Sequence, residues 1–163
     1  MRVRELNCSS EIKLIRANIC DAERIWKMQV HAFAEQYEKY QDHETNPANE
    51  PLERVQDRLN QPDTYYYIIE ADHQDVGAIR VVDPKNGKPK RISPLFVLPA
   101  FRRQGIASAA VKAAEKLHGS DHWTLSAVLQ EEENCRFYEK IGYKCTGLTQ
   151  ILNERLTLVF YQK

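Results

Sequence analysis

Arg102-Arg103-Gln104-Gly105-Ile106-Ala107 is the stretch on which the reading of this chain turns. It follows a short apolar run, Ile92 to Leu98, broken by Ser93 and Pro94, and it leads into a helical pattern from Gly105 to His118. A strand, a basic glycine turn and a helix start in that order favour an anion. The first helical turn has N–H groups without intrahelical acceptors, and the helix dipole adds partial positive charge there. Gly105 removes a Cβ from the path of a close-lying anion, Ala107 keeps the next position small, and Arg102 and Arg103 add charge at the rim. One glycine is a weak signature by itself, and an ordinary basic loop before a core helix reads equally well.

Outward from this stretch the chain reads as α/β. Ile12 to Arg16 alternates as a first strand. Asp21 is placed to cap a helix running to about Tyr40, with Ile25, Met28, Ala32 and Phe33 on one stripe. Gln41 to Asn49 is polar and broken by Pro47, hence a loop, and Pro51 suits the first turn of a helix from Leu52 to Gln61 that presents Val55 and Leu59. Tyr65 to Ala71 and Val76 to Val82 are strands joined through Asp72-His73-Gln74-Asp75, and Asn86-Gly87 turns the chain into a strand from Lys90 to Val97. The helix after Gly105 presents Ile106, Ala110, Ala113, Ala114 and Leu117 on one face and ends at Gly119. Trp123 to Val128 then forms a strand parallel to the one before that helix, through a right-handed crossover. A short helix from Asn134 to Ile141 closes at Gly142, and Tyr143 to Thr149 with Leu156 to Tyr161 make a final hairpin.

Composition narrows the function. The 163 residues are read as one domain over 1–163, with 42% apolar and 28% charged residues. A formal net charge of zero supplies no field for nucleic acid. Met1 to Asn7 lacks the apolar stretch of a signal peptide, and no segment approaches membrane-spanning length. Cys8, Cys20, Cys135 and Cys145 show no metal-ligand spacing, so no metal is expected and the thiols read as reduced, mostly buried groups of a cytoplasmic protein.

Arg102-x-x-Gly105-x-Ala107 resembles the Arg/Gln-x-x-Gly-x-Gly/Ala pyrophosphate loop of the GNAT superfamily of N-acetyltransferases, and Val97-Leu98-Pro99-Ala100-Phe101 is similar to its strand-to-loop approach. A second block, Phe137-Tyr138-Glu139-Lys140-Ile141-Gly142-Tyr143, is similar to that family's Phe-Tyr-Glu-Lys-x-Gly-Phe/Tyr segment. The order of elements over residues 11 to 163 agrees. The resemblance implies a single-domain fold with a mixed, mostly antiparallel sheet of six to seven strands, a splayed parallel pair and about four flanking helices. It implies acetyl-CoA as donor, with pantetheine along the main chain of Phe96 and Val97 and the pyrophosphate on the loop Arg102, Arg103, Gln104, Gly105, Ile106 and Ala107. Pro94 fits that split, since proline cannot donate to a ladder and marks a bulge or an edge.

Tyr138 matches the tyrosine that serves as general acid in many members. A phenol is a suitable proton donor to a departing thiolate. The alternative is a core-packed ring whose hydroxyl reaches water. The family's asparagine, seven residues earlier, is Glu131 here. Asn134, one helical turn before Tyr138, either reaches the cofactor or caps its helix.

A general base is not evident, because Lys90 to Val97 contains no Asp or Glu. The loop with Asp42, His43 and Glu44 occupies the region that shapes the acceptor pocket in the family, or it is simply a solvated loop. Tyr65, Tyr66 and Tyr67 alternate across a strand, so only one set can line a pocket. The expected activity is acetyl transfer to a small amine. Protein or peptide N-acetylation and a silent acyl-CoA-binding module are the alternatives, and the resemblance allows a homodimer.

Overall fold

A computed structural model describes residues 11–163, so the readings of Met1 to Asn7 and of Cys8 lie outside the described residues. Seven strands form one sheet: β1 (Ile12–Arg16), β2 (Thr64–Ala71), β3 (Gln74–Val82), β4 (Lys90–Val97), β5 (Trp123–Val128), β6 (Lys144–Asn153) and β7 (Leu156–Gln162). Their spatial order is β1-β2-β3-β4-β5-β7-β6. Every neighbouring pair is antiparallel except β4 with β5. Four helices cover the sheet: α1 (Ala22–Tyr40), α2 (Leu52–Asn60), α3 (Ile106–His118) and α4 (Glu132–Lys140).

The alternation of β2 divides the core into two layers. Tyr66 and Ile68 pack with Ile25, Met28 and Ala32 of α1, Val55 of α2, and Phe96 of β4. Tyr67 and Ile69 face the other way, against Ile106, Ala110, Val111 and Ala114 of α3 and against Trp123 and Leu125 of β5. A sheet covered on both faces makes its central strands apolar runs, which is why β2 and β3 read so strongly.

Three local expectations are corrected. Asp21 makes no side-chain cap to α1. A 3-10 turn, Ile19–Asp21, comes first, and in it Asn18 accepts from the Cys20 amide at 2.9 Å while Asp21 accepts from the Asn18 amide at 3.0 Å. The reciprocal bond turns the Asp21 carboxylate back to Asn18, three residues upstream, and away from the first-turn amides of α1. On α3, Val111 and Glu115 turn inward, whereas Leu117 is 60% exposed. Glu115 tolerates burial because Lys163 donates to both of its oxygens, at 2.7 and 3.0 Å. Cys20 and Cys145 are exposed and Cys135 is half-buried, so the thiols are not mostly buried. Cys145 lies on β6, an edge strand that is solvated along most of its length.

Two features of β3 and β4 prepare the site. Ile79 pairs with Leu95 and Val81 with Ile92, so β4 uses one residue more than β3 across Ser93 and Pro94. The bulge falls at the proline, as its missing N–H requires. Gly77 pairs with Val97, and a Cβ built on Gly77 would lie 2.1 Å from the carbonyl oxygen of Phe96. Backbone cannot step aside as a flexible side chain does. Gly77→Ala is therefore expected to destabilise the protein by on the order of 3 kcal/mol through overpacking. Urea unfolding measures it, and a wild-type midpoint would contradict this account of the β3–β4 approach.

Candidate active site

β4 and β5 pair at only two positions, Lys90 with Trp123 and Arg91 with Thr124. Beyond Arg91 the strands separate, so from Ile92 onward β4 has no ladder with β5. Phe96 and Val97 pair with β3 on their other side. Their β5-facing edge is left open to a ligand carrying amides.

The separation opens into a cleft of about 1060 Å³. It is bounded by Leu95, Phe96 and Val97, by the loop and first turn of α3, by Ala32, Phe33, Gln36 and Lys39 of α1, and by Glu131, Asn134, Phe137 and Tyr138. The structure thus brings together Phe96, Val97, Arg102, Arg103, Gly105, Ile106, Ala107, Asn134 and Tyr138. Gln104, Asp42, His43 and Glu44 are not among the lining residues. Asp42 accepts from the amides of Glu44 and Thr45 and from the Thr45 hydroxyl, closing its own loop. His43 Nδ1 meets the Tyr37 hydroxyl at 2.7 Å.

The loop gains its shape from two left-handed residues, Arg103 at φ 63° and Gly105 at φ 77°. Gly105 stands at the N-cap of α3, and no side chain caps that end. The first-turn N–H groups stay available to an anion. Arg102 does not stand at the rim as free charge. Its Nε donates to the Val97 carbonyl at 3.0 Å and a terminal nitrogen donates to the Ala32 carbonyl at 2.6 Å, tying the loop to β4 and α1. Arg103 pairs with Glu133 at 3.3 Å in full solvent, a contact worth little.

Tyr138 lies on the α4 wall. Its ring stands edge-on to Phe137 and Tyr143 and tilted against Tyr161, with centroids 5.0, 6.1 and 6.2 Å apart. Among the described residues its hydroxyl has no hydrogen-bond partner. Burial, with a smaller contribution from Cys135, pushes that hydroxyl up to about 12, so it keeps its proton at neutral pH. Asn134 lies inside the first turn of α4, and its amide donates to the Glu131 carbonyl at 3.1 Å. The N-cap position belongs to Glu131, which leaves Asn134 as a cleft residue.

Sequence reasoning missed the α1 wall and the partners of Glu131. Glu131 Oε1 accepts from the Tyr40 hydroxyl at 2.8 Å and from Lys39 Nζ at 3.2 Å. It also missed a polar cluster under α1 and α2, where Glu50 takes Arg58 in two bonds of 2.6 Å and Gln29 in a third of 2.8 Å. Separations of 91 and 92 residues carry no local signal. Only the departure from the family asparagine at Glu131 pointed there.

A split sheet with an anion-ready helix start at its mouth is the architecture of an acyl-CoA-dependent transferase. The model of the acetyltransferase (GNAT) domain family matches residues 28–162, and the chain belongs to that family, whose donor is acetyl-CoA. Solved structures agree in fold. An acetyltransferase from Salmonella typhimurium, described as modifying the N-terminal serine of a 50S ribosomal subunit protein, is 15% identical with a TM-score of 0.74, over 96% of each chain. PaiA N-acetyltransferase from Thermoplasma acidophilum, in complex with coenzyme A, is 15% identical with a TM-score of 0.70, over 94% of this chain and 99% of that one. Spermidine/spermine N-acetyltransferase SpeG from Vibrio cholerae is 11% identical with a TM-score of 0.70, over 94% and 92%. No curated protein sequence matches the chain significantly. Among the described residues no helix is long and apolar enough to cross a membrane.

Proposed function

We propose that the protein transfers the acetyl group of acetyl-CoA to a primary amine of a small molecule by direct attack, with Tyr138 as general acid. The observation that carries this is one cleft holding three things: the open edge of β4, the uncapped start of α3 and an unpartnered phenol. The residues fit the donor. Phe96 and Val97 offer main-chain groups to pantetheine amides, and the amides of Ile106 and Ala107 offer donors to pyrophosphate. Gly105 has nothing within 4 Å of where a Cβ would stand, so the approach there is unobstructed.

In the reaction the amine nitrogen attacks the thioester carbon, the C–N bond forms and the C–S bond breaks. The departing thiolate takes the Tyr138 proton. The nitrogen then gives up its surplus proton, which restores the phenol. The hydroxyl holds its proton at neutral pH and is therefore available as the donor.

The test is thiol release from acetyl-CoA across a panel of small amines, amino acids, polyamines and peptide N-termini, with products weighed by mass spectrometry. Turnover of at least one small amine, acetylated on nitrogen, is expected. Turnover of peptide N-termini alone makes the acceptor a protein. Tight acetyl-CoA binding without turnover of any amine makes the chain a binding module and overturns the proposal.

A further inference from the structure

An amine that is protonated in water must lose a proton before it can attack, and β4 has no carboxylate to take it. Three carboxylates line the cleft: Glu35, Glu131 and Glu133. Glu133 is engaged with Arg103 in solvent, its side chain 77% exposed, and Glu35 is exposed on α1. Glu131 differs from both. Its side chain is 30% exposed, and one oxygen is held by the buried Tyr40 hydroxyl and by Lys39, while among the described residues Oε2 has no partner.

Three elements fix this carboxylate in place. Its own amide donates to the Val128 carbonyl at the end of β5, at 3.0 Å. Tyr40 ends α1, and the Tyr40 carbonyl accepts from Asn153 of β6 at 3.2 Å. Glu131 precedes Tyr138 by seven residues, close to two helical turns. Side chains on a helix lean toward its N-terminus, so Tyr138 leans back along the face that begins at Glu131. The geometry points to Glu131 as the general base for acetyl transfer, its free Oε2 taking a proton from a cationic amine. The acceptor class is then a strongly basic primary amine.

This inference rests on the acetyl-transfer reading. The ammonium gives one proton to Glu131 Oε2, which passes it to solvent. The neutral amine attacks, the thiolate takes the Tyr138 proton, and the acylated nitrogen returns a proton to the Tyr138 oxygen. The sum is an ammonium and a thioester giving an amide, a thiol and one proton. The other charged or titratable groups of the cleft are Glu35 and Lys39 on α1, Arg102 and Arg103 in the loop, Lys112 on α3, and Glu133, Tyr138 and Lys140 on α4, with the Tyr40 hydroxyl bonded directly to Glu131.

The experiment compares wild type, Glu131→Gln and Glu131→Asp on two acceptors: the basic amine turned over in the panel, and an analogue trifluorinated on the carbon β to nitrogen, which is already largely unprotonated at neutral pH. For the basic amine, Glu131→Gln is expected to lower kcat/KM by on the order of 10²-fold, the usual worth of a positioned base. For the fluorinated amine kcat/KM is expected to change little, Kd for acetyl-CoA to hold, and Glu131→Asp to restore part of the loss. Should Glu131→Gln not fold, Tyr40→Phe keeps the carboxylate but removes one of the two bonds that hold Oε1, and is expected to give a smaller loss with the same preference for the fluorinated amine. Equal losses on both amines, or no loss on either, overturn the role of Glu131 alone. A wild-type enzyme that turns over no amine overturns the acetyl-transfer reading and this one with it.

Discussion

Gly105→Glu is expected to abolish acetyl-CoA binding at working concentrations. The packing around it is unaffected, since nothing lies within 4 Å of a Cβ at this position. Its internal cost is conformational: φ is 77°, where an L side chain loses about 1–2 kcal/mol. The larger effect falls on the ligand. A carboxylate at the N-cap of α3 would occupy the approach that the first-turn amides offer and would bring negative charge to the pyrophosphate. Like charges set against each other cost several kcal/mol. At about 1.4 kcal/mol per factor of ten, Kd rises by on the order of 10³-fold. Calorimetry measures the affinity, and thermal unfolding in the absence of donor shows that the fold survives. Retained affinity would place the phosphate site elsewhere.

Tyr138→Phe is expected to lower kcat by on the order of 10²-fold while leaving Kd for acetyl-CoA near its wild-type value. The ring is held by Phe137, Tyr143 and Tyr161, and phenylalanine keeps those contacts. Only the proton is lost. The pH dependence has a definite sign. An acid must be protonated to act, and this hydroxyl is raised to about 12 by burial, so rising pH does not switch it off near the ordinary tyrosine value of about 10. A flat rate for the wild type through the alkaline range, once the amine is free, agrees with this. A variant with unchanged kcat and a raised KM for the amine would make Tyr138 a binding contact instead.

How much of this was written in the chain locally can be judged residue by residue. The strand, turn and helix around Gly105 were legible because each signal is short-range: an apolar run, a glycine, an amphipathic period. Pro94 pointed to a bulge or an edge because a missing N–H has few places to sit in a sheet, and the register of β3 with β4 makes it a bulge. The hairpin at Asp72 and His73 followed from its polar residues, although the turn is two residues tighter than expected; both take positive φ, 48° and 63°, and Gln74 already pairs with Ala71.

What escaped depends on distant partners or on rotation about an axis. Arg102 reads as rim charge until the carbonyls of Val97 and Ala32 are placed around it. Ala113 and Val111 are both apolar, and only packing against the sheet decides which of them turns inward. Asp42 was offered for the acceptor pocket, yet its carboxylate is engaged by the next turn of its own loop. Glu131 was visible as a departure from a pattern, but its meaning came from Tyr40 and Lys39, which no local period connects to it.

The two-residue seam between β4 and β5 also bears on stability. On one side of it lie β1 to β4, on the other β5 to β7, and the direct ladder between them ends at Arg91 and Thr124. On the proposed placement, a donor lying in the opening would act as a short additional strand that joins the two halves. Binding and cohesion of the sheet are then linked: at a donor concentration a hundred times Kd, the folded state gains about 2.7 kcal/mol over the empty one. The donor-loaded molecule is then expected to unfold at a higher temperature than the empty one.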